Sequence, residues 1–166
     1  MTELTLHRPR LHQALFYVLV HHRERARGVA VLLERRARHH RQLLRPGVEM
    51  LSENITVHSV VGEFLEHSRI FIFGRPQDDE FSVYIGSADL MERNLDRRVE
   101  VMVPIEDESL QGELIEAFEV TWSDDLFTWV LGTDRRWRRL QPVRDFSAQA
   151  EFKRRAMDRS RSLSQV

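Results

Sequence analysis

The chain predicts an α/β domain, with α+β as the alternative, built as a mixed sheet of short strands flanked by helices. Three observations predict it. Short apolar runs such as Ile70–Phe73 are bounded by Gly, Pro, Asn or Asp, as strands are. Asp107–Trp122 repeats its apolar residues at helical spacing. Arg97–Pro104 ends in a near-continuous apolar run, the pattern of a strand covered on both faces. At 166 residues there is material for one modest core.

Leu11, Leu15, Val18 and Leu19 recur at helical spacing and predict a helix over about 10–25. Val29–Leu33 reads as a strand or as the apolar side of a second helix that runs into 34–42. Pro46 and Gly47 punctuate a loop over Leu43–Met50. Alternation at Ile55, Val57 and Ser59 predicts a strand over about 55–58, then a short helix over about 59–66. Ile70–Phe73 is a buried strand, Gly74–Glu80 a hairpin-like connection and Ser82–Gly86 the next strand. Leu90–Asp96 is a turn or short helix, and Arg97–Pro104 a third strand.

In Asp107–Trp122, Leu110, Leu114, Ile115, Phe118 and Trp122 share one side, leaving Glu113, Glu116 and Glu119 in solvent. Trp129–Leu131 and Trp137–Leu140 flank Gly132–Arg136 as a hairpin. Its two tryptophans read as cross-strand packing rather than as a platform for bases. A charged helix runs from Ser147 to about Arg161, and Ser162–Val166 frays.

Composition narrows the function classes. There are no cysteines, which excludes a disulfide framework and thiol catalysis within this chain. Net charge is −1, but it is divided unevenly: residues 1–48 hold ten Arg against three Glu, and the remainder is acidic. The apolar run Ala14–Val20 is too short to cross a bilayer, which takes about 20 residues. The chain therefore reads as soluble. The pairs His21-His22 and His39-His40 lack the converging spacing a metal needs, so no metal site is assigned. The basic amino end could hold a polyanion by counterion release, or simply be a solvated face.

Chemistry concentrates between Leu44 and Ile105. His67 and Arg69 stand two apart at the mouth of the Ile70–Phe73 strand, so both can face one pocket. An imidazole beside a guanidinium suits phosphate, since one moves a proton and the other grips oxyanions bidentately. Gly86-Ser87 lets the backbone approach a ligand and offers amide and hydroxyl donors. Arg45, Arg97 and Arg98 are further candidate phosphate ligands, with loop-pinning or solvated arginine as the plainer reading.

In order and spacing, these pieces resemble one catalytic half-site of the phospholipase D superfamily, with matches at His67, Gly86, Ser87 and Glu100. The chain departs from that superfamily at Arg69, Gly74 and Asp89. Longer strings fit another family better: LRPGV, LSENI, V-x-S-V-V-G-x-F-L-E-H-S-R-I-F, Y-I-G-S-A-D-x-M-x-R-N-L-D-R-R-V-E-V and P-I-x-D. These look like the carboxyl-terminal catalytic domain of bacterial polyphosphate kinase, from about Leu43 through Phe146-Ser147-Ala148-Gln149.

The resemblance implies a phospholipase D-like fold and a cytoplasmic, homo-oligomeric phosphotransferase. Such an enzyme moves the terminal phosphate of ATP onto inorganic polyphosphate, reversibly and with Mg2+. In that family the phosphorylated histidine lies in a preceding, related domain. His67 is then the catalytic histidine of the second motif, assisting at nucleotide and phosphate, with Arg45, Arg69, Ser87, Arg97 and Arg98 binding.

The family is several times longer, so the chain reads as a fragment, weak or inactive alone. Residues 43–166 are its catalytic-type domain. Residues 1–42 read as a frame-shifted or misassigned start, because His39 falls where the family's arginine belongs and one Lys stands against twenty-four Arg. Two other functions compete: a binding module for polyphosphate or, less favoured, nucleic acid, and a phospholipase D-type nuclease assembled as a homodimer.

Overall fold

The computed structural model describes residues 15–21, 28–34, 46–49, 52, 55–64, 66, 68–74, 76–77, 79, 81–87, 97 and 99–164. Eight strands form one sheet among them. They are β1 (Leu15–His21), β2 (Gly28–Glu34), β3 (Ile55–Val60), β4 (Ile70–Phe73), β5 (Ser82–Gly86), β6 (Met102–Ile105), β7 (Thr128–Leu131) and β8 (Trp137–Arg139). The order across the sheet is β6-β5-β4-β2-β1-β3-β7-β8. Every described pairing is antiparallel. Helix α1 (Glu108–Trp122) follows β6, and helix α2 (Ala148–Leu163) closes the described chain.

The helix read over 10–25 is instead strand β1, paired with β2 on one side and β3 on the other. Its apolar residues recur at helical spacing because nearly all of Leu15–Val20 is apolar. A continuous run rich in β-branched and aromatic residues suits a central strand equally well. The helix read over 59–66 is also replaced, since β3 runs to Val60 and a non-helical connection follows. Both faces of β3 are used, which hid its period: Val57 packs with Leu131 and Trp137, whereas Val60 packs with Phe118.

The main core lies between α1 and the β3–β4–β5 face. Val60, Ile70, Ile72, Val83 and Phe118 are its buried residues, with Phe81, Ile105, Leu114, Ile115 and Trp122 packed around them. Asp107 caps α1 by accepting the Leu110 N–H at 2.9 Å, which satisfies one of the amides left open at a helix start. Glu113, Glu116 and Glu119 do point to solvent, but Leu110 is half exposed. The strand expected to be covered on both faces is an edge: Val101, Met102 and Val103 are all exposed. Pro104 fits there because an edge strand can spare a donor.

Asp124 and Asp125, both buried, tie the end of the chain to this core. Asp124 accepts the N–H of Phe127 at 2.8 Å and of Ala148 at 2.9 Å. Asp125 accepts the N–H groups of Val143, Arg144 and Phe146 at 2.9, 2.7 and 2.6 Å. The amide bonds of Arg144 and Val143, in that order, hold the Asp125 carboxyl below the usual range. Farther along α2, Arg155 bridges to Glu116 of α1 at 2.7 Å.

His58 of β3 lies flat against Trp122, with ring centroids 3.9 Å apart and planes 6° from parallel. Its Nδ1 is buried with no hydrogen-bond partner among the described residues. Burial disfavours the imidazolium and pushes the pKa down from 6.5 to about 4. The folded form therefore takes up its proton later than the unfolded chain. The neutral ring's contribution is whole above about pH 6.5, and it is lost as pH falls towards 4. Equilibrium denaturation should show up to about 3 kcal/mol of stability lost across that window. His58→Phe keeps an aromatic ring on Trp122 and should flatten the slope.

Candidate functional site

One end of the β4–β5–β6 unit gathers the chemistry. Arg69 immediately precedes β4, and its carbonyl accepts the Gly86 N–H at 3.1 Å. Gly86 ends β5 and Ser87 follows it, so Arg69 and the Gly-Ser turn stand side by side. The Ser87 N–H donates to the Val101 carbonyl at 3.0 Å. Its hydroxyl accepts the Val101 N–H at 3.0 Å and donates to Glu100 Oε2 at 2.5 Å. Three bonds thus fasten Ser87 to the Glu100-Val101 segment that leads into β6, and the short hydroxyl–carboxylate contact is of the charge-assisted kind.

Glycine at position 86 is required by close approach. A Cβ there would lie 2.9 Å from the Val101 carbonyl oxygen and 3.2 Å from Met102 Cγ. Backbone oxygen cannot swing away as a flexible side-chain tip can. Gly86→Ala should push β6 off β5 and cost about 1–3 kcal/mol, as overpacking does, read as a lower denaturation midpoint.

Of the residues assigned from sequence, the structure brings together Arg69 and Ser87. Arg97 is exposed, in a stretch otherwise outside the description. Arg45, His67 and Arg98 lie outside the described residues, as does the 90–96 turn with Arg93 and Asn94. Glu100 belonged to the motif but received no role, and its bond to Ser87 supplies one. Gln149, to which sequence gave no role, bonds to the segment that precedes Arg69. Its amide accepts the Phe64 N–H at 2.9 Å and donates to the Phe64 carbonyl at 2.9 Å and to Glu66 Oε1 at 2.7 Å. The only signal in the sequence was that Phe146–Gln149 fell within the strings shared with the resembled family.

Among the described residues, no group of three or more His, Asp or Glu side chains converges to hold a metal. Also among them, no helix is long and apolar enough to cross a membrane.

An antiparallel sheet backed by helices, with Arg, Gly-Ser and Glu gathered at one sheet end, defines a phospholipase D-like α/β domain. The chain belongs to the family of polyphosphate kinase C-terminal domain 2, whose model matches residues 24–151. A polyphosphate kinase of Thermosynechococcus vestitus is 52% identical over 100 residues, covering 60% of this chain and 13% of the relative. One from Synechocystis is 47% identical over 117 residues, 69% of this chain and 16% of the relative. The crystal structure of polyphosphate kinase from Porphyromonas gingivalis superposes with a TM-score of 0.59 at 30% identity. That match covers 67% of this chain and 17% of the other. The chain thus spans roughly one-eighth to one-sixth of the length of these relatives.

Proposed function

We propose that residues 43–166 form one half of a phosphoryl-transfer site acting between ATP and inorganic polyphosphate in a homo-oligomeric, cytoplasmic enzyme. The observation that carries this reading is the juxtaposition of Arg69 with the Gly86-Ser87 turn and Glu100 at one end of the sheet, in a chain of this family.

Phosphoryl transfer is largely positioning and charge neutralisation. The bond from the terminal phosphorus to the bridging oxygen of ATP breaks, ADP departs, and the phosphoryl group ends on an oxygen of the polyphosphate chain. In this reading Arg69, with Arg45, Arg97 and Arg98, neutralises phosphate oxygens. His67 holds a proton at the nucleotide and phosphate rather than carrying the phosphoryl group. Glu100 orients Ser87, whose turn borders the phosphate.

Magnesium, which the family implies, would enter with the nucleotide as part of the substrate. Among the described residues, the carboxylate joined to this turn, Glu100, is already bonded to Ser87, and no group of three or more His, Asp or Glu side chains gathers to hold an ion. No step is assigned to a protein-bound ion. The division at Leu43 belongs to the same proposal, whatever the origin of the two central strands upstream of it. Reading all three frames of the DNA before codon 43 tests it: a continuation of the family in another frame supports a misassigned start, and none overturns it.

Produced as a separate polypeptide, the 166 residues should bind ATP and tripolyphosphate but turn over at or near background. Arg69→Ala should weaken tripolyphosphate binding roughly tenfold or more, the loss expected for one or more hydrogen bonds to charge. His67→Ala should weaken it too. Calorimetric titration measures both, and affinities unchanged by either substitution would overturn the reading.

A further inference from the structure

We propose that Arg139 and Arg144 form a second anion subsite, which takes the distal phosphates of a long polyphosphate whose end lies at Arg69 and Ser87. The choice of polyphosphate rests on the phosphate-transfer reading. The basic pair and its place in the sheet do not.

Strand register sets the two arginines at the same end of the sheet as the Gly-Ser turn. Thr128 stands opposite Val60, Val60 opposite Leu15, and Leu15 opposite Glu34. Two residues back along β2, Leu32 stands opposite Ile70, and Ile70 opposite Ile85. The Leu140 N–H donates to the Thr128 carbonyl at 2.9 Å, so β8 ends near the row where β4 begins and β5 ends. The order between Arg69 and Arg139 is β4-β2-β1-β3-β7-β8, which is five strand spacings. At about 4.8 Å per spacing, that is roughly 24 Å along the sheet.

What holds the two guanidinium groups leaves their charge in place. Arg139 Nη2 donates to the Leu126 carbonyl at 2.9 Å, and Arg144 Nη2 to the Ser123 carbonyl at 2.8 Å. The 123–126 turn thus holds both, at the carboxyl end of α1 where cations are favoured. A carbonyl is neutral and takes one of five N–H donors, so each exposed group keeps its charge and most of its fork. Arg138 and Arg154 differ, because Asp134 faces the first and Glu151 and Asp158 the second. Asp125, 4.0 Å from Arg144, is buried and already accepts three backbone N–H groups. Within residues 141–145, only Asp145 carries negative charge.

Three linked phosphates are too short to reach from Arg69 to this pair, whereas a long polyphosphate is not. Charged at every unit, such a chain can cross the end of the sheet and displace counterions at Arg139 and Arg144. The pair then selects for chain length. Single-stranded nucleic acid fits less well, since it also calls for aromatic faces on which bases stack. Trp137 is instead packed against Val57 and Leu131.

The test measures binding of tripolyphosphate, long-chain polyphosphate and oligothymidylate to the whole 166-residue chain across a salt series. Arg139→Gln/Arg144→Gln should leave tripolyphosphate affinity where it was. The same variant should weaken long-chain binding about tenfold, near the loss of one charge-assisted hydrogen bond. Its log–log salt slope for the long chain should fall by about 1.4, for two phosphate contacts at about 0.7 each. Arg139→Lys/Arg144→Lys keeps both charges and should keep that slope.

Unchanged long-chain affinity in the Gln variant overturns the inference. So does an equal loss for tripolyphosphate, which would mark a loosened fold, and so does an equal loss for oligothymidylate. Should the Gln variant not fold, the Lys variant decides alone, and a slope that falls despite its retained charges overturns the inference. Arg69→Ala without effect on tripolyphosphate would overturn the phosphate-transfer reading and leave the difference between chain lengths to stand, so the two failures are told apart.

Discussion

Two adjacent carboxylates, Asp124 and Asp125, hold together parts of the molecule that sequence keeps far apart. Among the described residues neither has a close ion pair; five backbone N–H groups hold them instead. A buried carboxylate is tolerated only when its oxygens are hydrogen-bonded, and amides from a loop supply that without a second buried charge. Arg144 lies 4.0 Å from Asp125 and is largely exposed, so it adds less than the amides do. Through these bonds the end of α1, the start of β7, the 143–146 loop and the first turn of α2 become one unit. Without them α2 would have few reasons to dock, because most of its later turns are exposed.

That unit explains how a mostly solvated helix is held against the rest of the fold. Burial in α2 is confined to Ala148 and Gln149. The paired charges beyond them, Glu151 with Arg154 and Arg155, draw the Glu151 pKa down to about 2 and bind α2 to itself and to α1. The helix is therefore a lever with one buried end. At that end, Gln149 joins the helix to Phe64 and Glu66, ahead of β4.

Much of this fold was legible. Ile70–Phe73 and Ser82–Gly86 read as strands with their observed bounds, because Gly and polar residues bracket runs of β-formers. Asp107–Trp122 announced its apolar stripe, and the final helix its charged composition. Leu15–Val20 misled because a run that is apolar throughout satisfies any period. The 59–66 segment misled because β3 is buried on both sides and then gives way to a clamped loop. The edge position of β6 was hidden for a different reason: apolar composition reports that a strand can be covered, not whether something covers it. At the site, His67, Arg69, Ser87 and Glu100 could be picked out by motif. The clamp on Phe64 and Glu66 could not, since nothing local in a Gln at a helix start indicates a partner more than eighty residues away.

That separation has a consequence for the order in which the molecule is made. The hairpin of β4 and β5, and the sheet end it forms with β6, consist of contacts close in sequence and can assemble while the chain is still emerging. Phe64 and Glu66, by contrast, wait for residue 149. Closing so long a loop is slow compared with hairpin formation. A ribosome-bound chain halted before α2 would thus present the Gly86-Ser87 turn while Phe64 and Glu66 still lack their amide partner.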